Sequence, residues 1–122
     1  MSREVFFLIG RGDAVLWSDA GDSALALPDS RARWEALWRH RGEIELVVHS
    51  HPLGPHAFSA EDESTMAAVE PALGKALAWA VLSPQGLLVR RDGKDETAAT
   101  LPWWATVLRL ASDMNNSAGH SG

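Results

Sequence analysis

The chain has 122 residues, of which 46% are hydrophobic, and its formal net charge is −5. This length fits one domain with its own core, and this hydrophobic content is typical of globular chains rather than disordered ones. The absence of cysteine excludes disulfide bonds, thiolate metal sites and cysteine nucleophiles, so any bound metal must be held by nitrogen and oxygen. The arginines between Arg31 and Arg41 are interrupted by tryptophans and a glutamate, so we expect no nucleic-acid partner.

The N-terminal residues lead directly into a short apolar run and lack the longer apolar region and small-residue cleavage site of a signal peptide. Nowhere does the sequence contain the roughly 20 consecutive apolar residues that a membrane span needs. We therefore expect a cytoplasmic protein with no membrane partner.

The first half of the chain predicts two strands, a helix and a third strand. Residues 4–9 are apolar and β-favouring and are stopped by Gly10, which predicts a central strand buried on both faces. Residues 14–17 should pair with this strand as a hairpin, and a loop should follow over residues 18–27, with a short edge pairing at Ala24 to Leu27. A helix should begin at residues 28–30 with Asp29 or Ser30 as its cap, present Trp34, Leu37, Trp38 and Arg41 on one face, and end at Gly42.

The second half alternates in the same way. The predicted elements are a strand over residues 43–49, a helix over 59–70 ended by Pro71 and Gly74, a hairpin of strands over 76–82 and 87–89, a polar loop over 92–96 and a helix over 100–114. We expect the six tryptophans to lie mostly in the core. Because Trp103 and Trp104 are adjacent on one helix, they cannot both face inward, and one of them should lie on the surface.

The order β-β-α-β-α-β-β-α predicts an α/β or α+β fold, in which helices pack on a mixed sheet. No repeat or linker divides the chain. We predict a single domain over residues 1–114 and a flexible C-terminal tail over residues 115–122, where the sequence is small and polar.

The residues from His49 to Asp62 carry the features that suggest chemistry. His49 and His51 lie two residues apart at the end of an apolar run, so their side chains should share one face of a strand. Asp62 follows eleven residues later and can return to them if the intervening loop, which contains two prolines and a glycine, folds back. Two histidines and an aspartate suit zinc, because a catalytic zinc keeps three protein ligands and leaves the fourth position for water.

The pattern His-Ser-His-Pro, followed after six residues by Ser-x-x-Asp, resembles the metal signature of the JAMM (JAB1/MPN/Mov34) metalloproteases, in the form of a small prokaryotic JAB domain. The match runs from His49 to Asp62 and includes Pro52, Gly54 and Ser59. The resemblance implies a curved mixed sheet flanked by helices, a cytidine-deaminase-like sandwich, with Zn²⁺ held by His49, His51 and Asp62. It also implies a helix before the first strand, for which the sequence offers no room.

The general base that the resemblance implies is a glutamate just before a core strand near the N-terminus, a position that Glu4 occupies. Glu45 is its rival, because it falls on the same strand face as His49 and His51. Glu43 is better interpreted as a charge at the entry to the strand.

Ser59 and Asp62 have a second interpretation. Their spacing also fits a capping box, in which Asp62 accepts a hydrogen bond from the amide of Ser59. If Asp62 binds zinc, we expect its side chain not to be free to complete the box. By resemblance Ser59 would donate a hydrogen bond to the substrate carbonyl, and the alternative is a plain N-cap. His56, in the loop between the ligands, is expected to be an exposed loop histidine.

We therefore predict a zinc-dependent metalloprotease or isopeptidase of JAMM type. The resemblance implies a protein or peptide substrate, such as the C-terminal tail of a ubiquitin-like or sulfur-carrier protein. Two alternatives stay open at this point. One is a non-catalytic MPN-like interaction module, and the other is a metal hydrolase that acts on a small molecule.

Overall fold

The structure, a computed structural model, describes residues 2–20 and 31–114. The strands are β1 (Val5–Ile9), β2 (Val15–Ala20), β3 (Leu46–Ser50), β4 (Ala78–Ser83), β5 (Gly86–Arg91) and β6 (Lys94–Thr97). The helices are α1 (Arg31–Arg39), α2 (Ala60–Leu73) and α3 (Trp103–Ala111). The predicted order of elements is confirmed, with one additional strand.

The six strands form one sheet in the order β2-β1-β3-β4-β5-β6. β3 and β4 are parallel, with α2 as the crossover between them, and the other neighbours are antiparallel. The predicted α+β fold with a mixed sheet is therefore confirmed.

Helices cover both faces of this sheet. β1 is buried on both faces, as predicted, because its side chains alternate between two hydrophobic clusters. Val5, Phe7 and Ile9 lie in the cluster that contains Trp104 and Leu108 of α3. On the other face, Phe6 and Leu8 share a cluster with Ala36 and Leu37 of α1 and with Met66 and Val69 of α2. The candidate site lies on this second face.

The prediction of a polar loop over residues 92–96 is wrong, because residues 94–97 form β6 and pair with β5. Asp92 and Gly93 make the tight turn between the two strands, with φ angles of 51° and 75°. An Asp-Gly pair favours this kind of hairpin turn. All four residues of β6 are exposed, so the strand has no hydrophobic alternation that the sequence could reveal.

Two predicted helix ends also need correction. α1 ends at Arg39, and Gly42 does not take the left-handed conformation that a C′ glycine would need. Pro71 lies inside α2, whereas Gly74 ends that helix with a φ of 71°, as predicted. The predicted start of the first helix, the edge pairing at residues 24–27 and the tail over residues 115–122 all lie outside the described residues.

The prediction that the tryptophans lie mostly in the core holds for only half of them, since Trp17 is half-buried and packs against the core in addition to the two buried ones. Trp79 and Trp104 are buried, whereas Trp34, Trp38 and Trp103 are 37%, 54% and 58% exposed. α1 instead buries the small Ala36 and the branched Leu37. The expected division between Trp103 and Trp104 is confirmed. Among the described residues, no helix combines the length and the apolar character that crossing a membrane requires.

Candidate metal centre

His49 and His51 lie at the C-terminal end of β3, in the middle of the sheet. The amide of His51 donates a hydrogen bond to the carbonyl of Leu82 on β4, which extends the pairing of the two strands by one residue. The Nε2 atoms of the two histidines are 3.0 Å apart. The predicted shared face is therefore present, and both imidazoles direct the same kind of nitrogen to one point.

Asp62 reaches this point from the first turn of α2. Its Oδ1 lies 3.0 Å from Nε2 of His49, and its Oδ2 lies 3.4 Å from Nε2 of His51. For a tetrahedral ion with ligand bonds of about 2.0–2.1 Å, neighbouring ligand atoms are about 3.3 Å apart. Each oxygen of Asp62 thus faces one histidine nitrogen, and the side chains of His49, His51 and Asp62, which are 12%, 7% and 17% exposed, form a cluster of donors that could surround one small cation.

The capping box is present together with this arrangement. Oδ2 of Asp62 accepts a hydrogen bond from the amide of Ser59 at 2.7 Å, and Oγ of Ser59 accepts one from the amide of Asp62 at 3.0 Å. The expectation that a zinc-bound Asp62 would not complete the box stays a prediction, and in this structure the two oxygens of the carboxylate divide the contacts, since Oδ1 faces His49 while Oδ2 accepts from Ser59. Ser59 is the N-cap, and its hydroxyl proton bonds to no other side chain in the described ranges.

Charge and hydrogen bonding favour an ionised Asp62. Burial alone would raise its pKa, but hydrogen bonds from His49, His51 and the amide of Ser59 hold the pKa well below its usual range. Burial likewise opposes protonation of His51, but the hydrogen bonds to Asp62 and to the carbonyl of Pro55 raise its pKa above the ordinary value. The site therefore carries a carboxylate whose charge a cation would neutralise.

Glu4 completes the cluster from the start of β1. One carboxylate oxygen of Glu4 and one ring nitrogen each of His49 and His51 all lie within 4.8 Å of one another, so these three residues could also hold a metal ion. Glu4 is 7% exposed. Burial, together with the nearby charges of Asp62 and Glu61, raises its pKa to about 7, although the charge of His51 opposes the shift. A carboxylate with such a pKa is suited to exchange protons at neutral pH.

Two buried serines hold the backbone beside Glu4. The amide of Val5 donates to Oγ of Ser50 at 2.9 Å, and the amide of Arg3 donates to the carbonyl of Ser112 at 3.0 Å. The hydroxyl oxygens of Ser50 and Ser112 lie 2.9 Å apart. The start of β1 is thus fastened to β3 and to the end of α3. Neither serine was predicted to support the site, although Ser50 falls on the opposite strand face from the histidines, which is the signal that could have identified it.

The rival glutamates lie elsewhere. Glu45 is 57% exposed at its side chain and lies 4.0 Å from Arg11. It lies four positions before His49, which is about 13 Å along the extended chain. Glu43 lies beside His40 at 3.5 Å. Sharing a strand face therefore does not bring Glu45 to the histidines.

His56 is not the exposed loop residue that we expected. It is half-buried, with Nδ1 2.7 Å from Oγ of Ser83 and Nε2 3.2 Å from Oγ1 of Thr97. Its two ring nitrogens are thus engaged away from the metal centre. The side chain links the loop between His51 and Asp62 to β4 and β6.

A cleft of about 200 Å³ opens beside the cluster. It is lined at one end by the residues of the cluster, with Ser59 among them. It continues over Phe6, Val47 and Trp79 of the sheet, with Arg33 of α1 and Met66 of α2 also lining it. This extension of the cleft was not predicted from the sequence, although alternation along β3 places Val47 on the face of His49.

The chain matches a family model described as prokaryotic homologs of the JAB domain over residues 13–92. This range is more than half of the chain and contains His49, His51, Ser59 and Asp62. No curated protein matches the chain significantly. The family match, the mixed sheet with its flanking helices, and the cluster at the end of β3 agree with one another. The chain belongs to the prokaryotic JAB-domain family.

Proposed function

We propose that this protein is a zinc-dependent hydrolase of peptide or isopeptide bonds, of JAMM type. In this proposal His49, His51 and Asp62 hold Zn²⁺, Glu4 is the general acid and base, and Ser59 assists at the carbonyl oxygen. The observation that carries the proposal is the convergence of two imidazole nitrogens and a carboxylate on one point, with distances of 3.0–3.4 Å. Nitrogen and oxygen donors in this number suit zinc.

Two carboxylates compete for the third ligand position. The oxygens of Asp62 lie 3.0 and 3.4 Å from the histidine nitrogens, whereas Glu4 is placed only within 4.8 Å of them. Each oxygen of Asp62 is thus in direct contact with a histidine nitrogen, which favours Asp62 as the third ligand. The raised pKa of Glu4 also suits a proton carrier better than a ligand, since a ligand must be ionised. We therefore assign Asp62 as the ligand and Glu4 as the base.

Zinc bound at this site would polarise the scissile carbonyl and lower the pKa of a water molecule to about 7. Glu4 then accepts the proton of the attacking water and passes it to the leaving nitrogen, which needs a group with a pKa near neutrality. The hydroxyl of Ser59 donates a hydrogen bond to the carbonyl oxygen as negative charge develops there. The backbone bonds beside Glu4 keep its carboxylate in place during both transfers.

The substrate that we propose is an extended peptide tail, such as the C-terminal tail of a ubiquitin-like or sulfur-carrier protein. The ligand side chains are largely buried, so the scissile bond has to enter the cleft. A chain without bulky folded structure around the bond meets this condition, and a folded protein surface does not.

Metal analysis of four variants tests the proposal. We expect about one zinc per chain in the wild type and in Glu4→Gln, and loss of zinc in His51→Ala. Turnover of a peptide substrate should fall by at least about 10²-fold in Glu4→Gln, because proton transfer contributes on this order. Glu45→Gln is the matched control and should keep both zinc and turnover, since Glu45 lies outside the cleft.

Failure of the wild type to bind zinc, even with zinc added, would overturn the proposal and favour a non-catalytic interaction module. Normal turnover by Glu4→Gln would overturn the assignment of the base alone. Loss of zinc from Glu4→Gln but not from Asp62→Ala would exchange the roles of the two carboxylates.

A further inference from the structure

We propose that Arg33 makes the cleft selective for a peptide whose last bond is the one cleaved, so that a single apolar amino acid with a free α-carboxylate is released. The cleavage rests on the proposed function, whereas the preference for a carboxylate can be measured by binding alone. In this reaction water supplies a hydroxyl to the acyl carbon, the C–N bond breaks, and the proton of the water goes to the leaving nitrogen.

The floor of the cleft beyond the metal centre is apolar. Phe6 on β1 lies directly opposite His49 on β3, and Val47 on β3 lies opposite Trp79 on β4. These residues line the cleft together with Met66 of α2. The surface next to the ligands can therefore receive a hydrocarbon side chain, which would be removed from water there.

Arg33 places a positive charge over this floor. Its guanidinium carbon lies 4.9 Å from the centroid of the Phe6 ring. Its charge also reaches the metal centre, since it contributes to lowering the pKa of Glu4 against the larger effect of burial. The other charged residues that line the cleft, apart from the histidines, are acidic, namely Glu4, Glu61 and Asp62. Arg33 takes part in another interaction as well, but it lines the cleft, so an anionic group of a ligand would meet a cationic side chain there besides the metal.

The spacing from the histidines to Phe6, over which Arg33 lies, suits a leaving group of one amino acid. Side chains directly opposite on antiparallel strands have Cβ atoms about 4.5–5.5 Å apart, so the ring of Phe6 and the imidazole of His49 are neighbours. One residue of extended chain covers about 3.3–3.6 Å. If the scissile carbonyl lies beside His49 and His51, the proposal places the α-carboxylate of the next residue at Arg33, across the ring of Phe6.

The volume of the cleft also favours a leaving group of one amino acid. Its volume of about 200 Å³ is below the roughly 300–1,000 Å³ that is typical of pockets for drug-sized ligands. One residue fills it, and a longer leaving segment would have to pass Arg33. A terminal carboxylate, which can form two parallel hydrogen bonds with a guanidinium, would end the ligand at that side chain.

The first test measures binding to the zinc-loaded protein. The probes are N-acetyl-L-leucine and N-acetyl-L-leucinamide, which differ in the carboxylate alone, and their Kd values are compared by titration calorimetry or NMR. We expect the wild type to prefer the acid by at least about fivefold, as a partly desolvated charge pair would give. Arg33→Gln should reduce this preference to about one, and Arg33→Lys should retain part of it.

Arg39→Gln is the matched control, because Arg39 is an exposed arginine at the other end of the same helix. It should leave the preference unchanged. A preference that persists in Arg33→Gln would show that the carboxylate binds the metal rather than Arg33, and would overturn the proposal. Equal Kd values for the two probes in the wild type would overturn it as well.

The second test measures cleavage of N-acetyl-glycyl-L-leucine and its C-terminal amide by the wild type and Arg33→Gln. We expect the ratio of kcat/KM between acid and amide to exceed about five in the wild type and to approach one in the variant. Equal cleavage of both by the wild type would overturn the specificity and leave the hydrolase intact. If neither is cleaved but the binding preference depends on Arg33, the anion subsite stands and the proposed function fails for these substrates.

Discussion

Ser50 stands between the two histidines in the sequence, yet its hydroxyl holds the backbone next to Glu4. The hydroxyl accepts the amide proton of Val5 and contacts Ser112, and all three residues are buried. A buried donor that loses its acceptor costs about 1–3 kcal/mol. The residue between the two histidines thus helps to hold the backbone next to the proposed base.

Ser50→Ala is therefore expected to lower the free energy of unfolding by about 1–3 kcal/mol and to speed hydrogen exchange at the Val5 amide. Chemical denaturation and exchange measured by NMR are the measurements. Ser64→Ala, at an exposed position of α2, is the control and should change stability by less than about 0.5 kcal/mol. Unchanged exchange at Val5 would contradict the proposed role of the hydroxyl.

If His51 binds the metal, as proposed, its pKa makes the metal affinity dependent on pH. Burial opposes protonation, but the hydrogen bonds to Asp62 and Pro55 raise the pKa above the ordinary 6.5 in the metal-free protein. A ligand histidine has to be neutral, so protons compete with the metal. We expect zinc affinity to fall as the pH is lowered, and the fall to begin above pH 6.5. A competition titration with a chromogenic chelator between pH 8 and 5.5 measures this, and a constant affinity over that range would contradict it.

At the scale of elements, α3 divides two adjacent tryptophans between core and surface. Trp104 is 1% exposed and its Nε1 donates to Oδ1 of Asp13. Trp103 is 58% exposed and donates to the carbonyl of Asp13. A helix advances by 100° per residue, so neighbours in sequence face different surroundings.

Trp104→Ala should destabilise the protein by about 3–5 kcal/mol, because it leaves a large cavity in the core beneath the sheet. Trp103→Ala removes one exposed hydrogen bond and should cost about 1 kcal/mol or less. Urea unfolding of the two variants measures the difference. Equal losses in the two variants would mean that Trp103 contributes to packing that its exposure does not indicate.

The sequence predicted the elements that have a regular apolar pattern. The apolar runs of β1 and β3 were sufficient to locate both strands, and the serine and glycine at the ends of α2 marked its limits. β6 was missed because an exposed edge strand needs no apolar face. The outward tryptophans of α1 were also missed, because a hydrophobic residue on a helix indicates a core face only on average.

The candidate site was predictable where it depends on local spacing. His49, His51 and Asp62 follow a spacing that is read directly from the chain, and the structure brings them together. The engagement of His56 with Thr97, 41 residues away in sequence, was not predictable, nor was the position of Arg33 over Phe6. Such contacts depend on how distant elements pack, which no local pattern specifies.

At the scale of the molecule, the site is assembled from three separate parts of the chain, namely the start of β1, the end of β3 and the first turn of α2. An unfolded chain does not hold these parts together, so a metal should bind the folded state far more tightly. Binding then adds RT ln(1 + [L]/Kd) to stability, or about 2.7 kcal/mol when free metal exceeds Kd by 100-fold.

Zinc at that excess should raise Tm by roughly 10 °C relative to protein in chelator, given the size of the domain. Thermal scans with and without zinc measure the shift. A double replacement, His49→Ala with His51→Ala, is the control and should show no shift. A shift of the same size in that variant would mean that zinc binds elsewhere.

Asp62 has two sets of partners, namely the two histidines and the amide of Ser59 at the beginning of α2. In a descendant of this chain that no longer used a metal, selection for the helix would still retain an aspartate there. Selection to retain the two histidines, in contrast, would cease once the metal was no longer used. In comparisons between such domains, the pair at positions 49 and 51 would therefore indicate whether a centre is functional, and the aspartate alone would not.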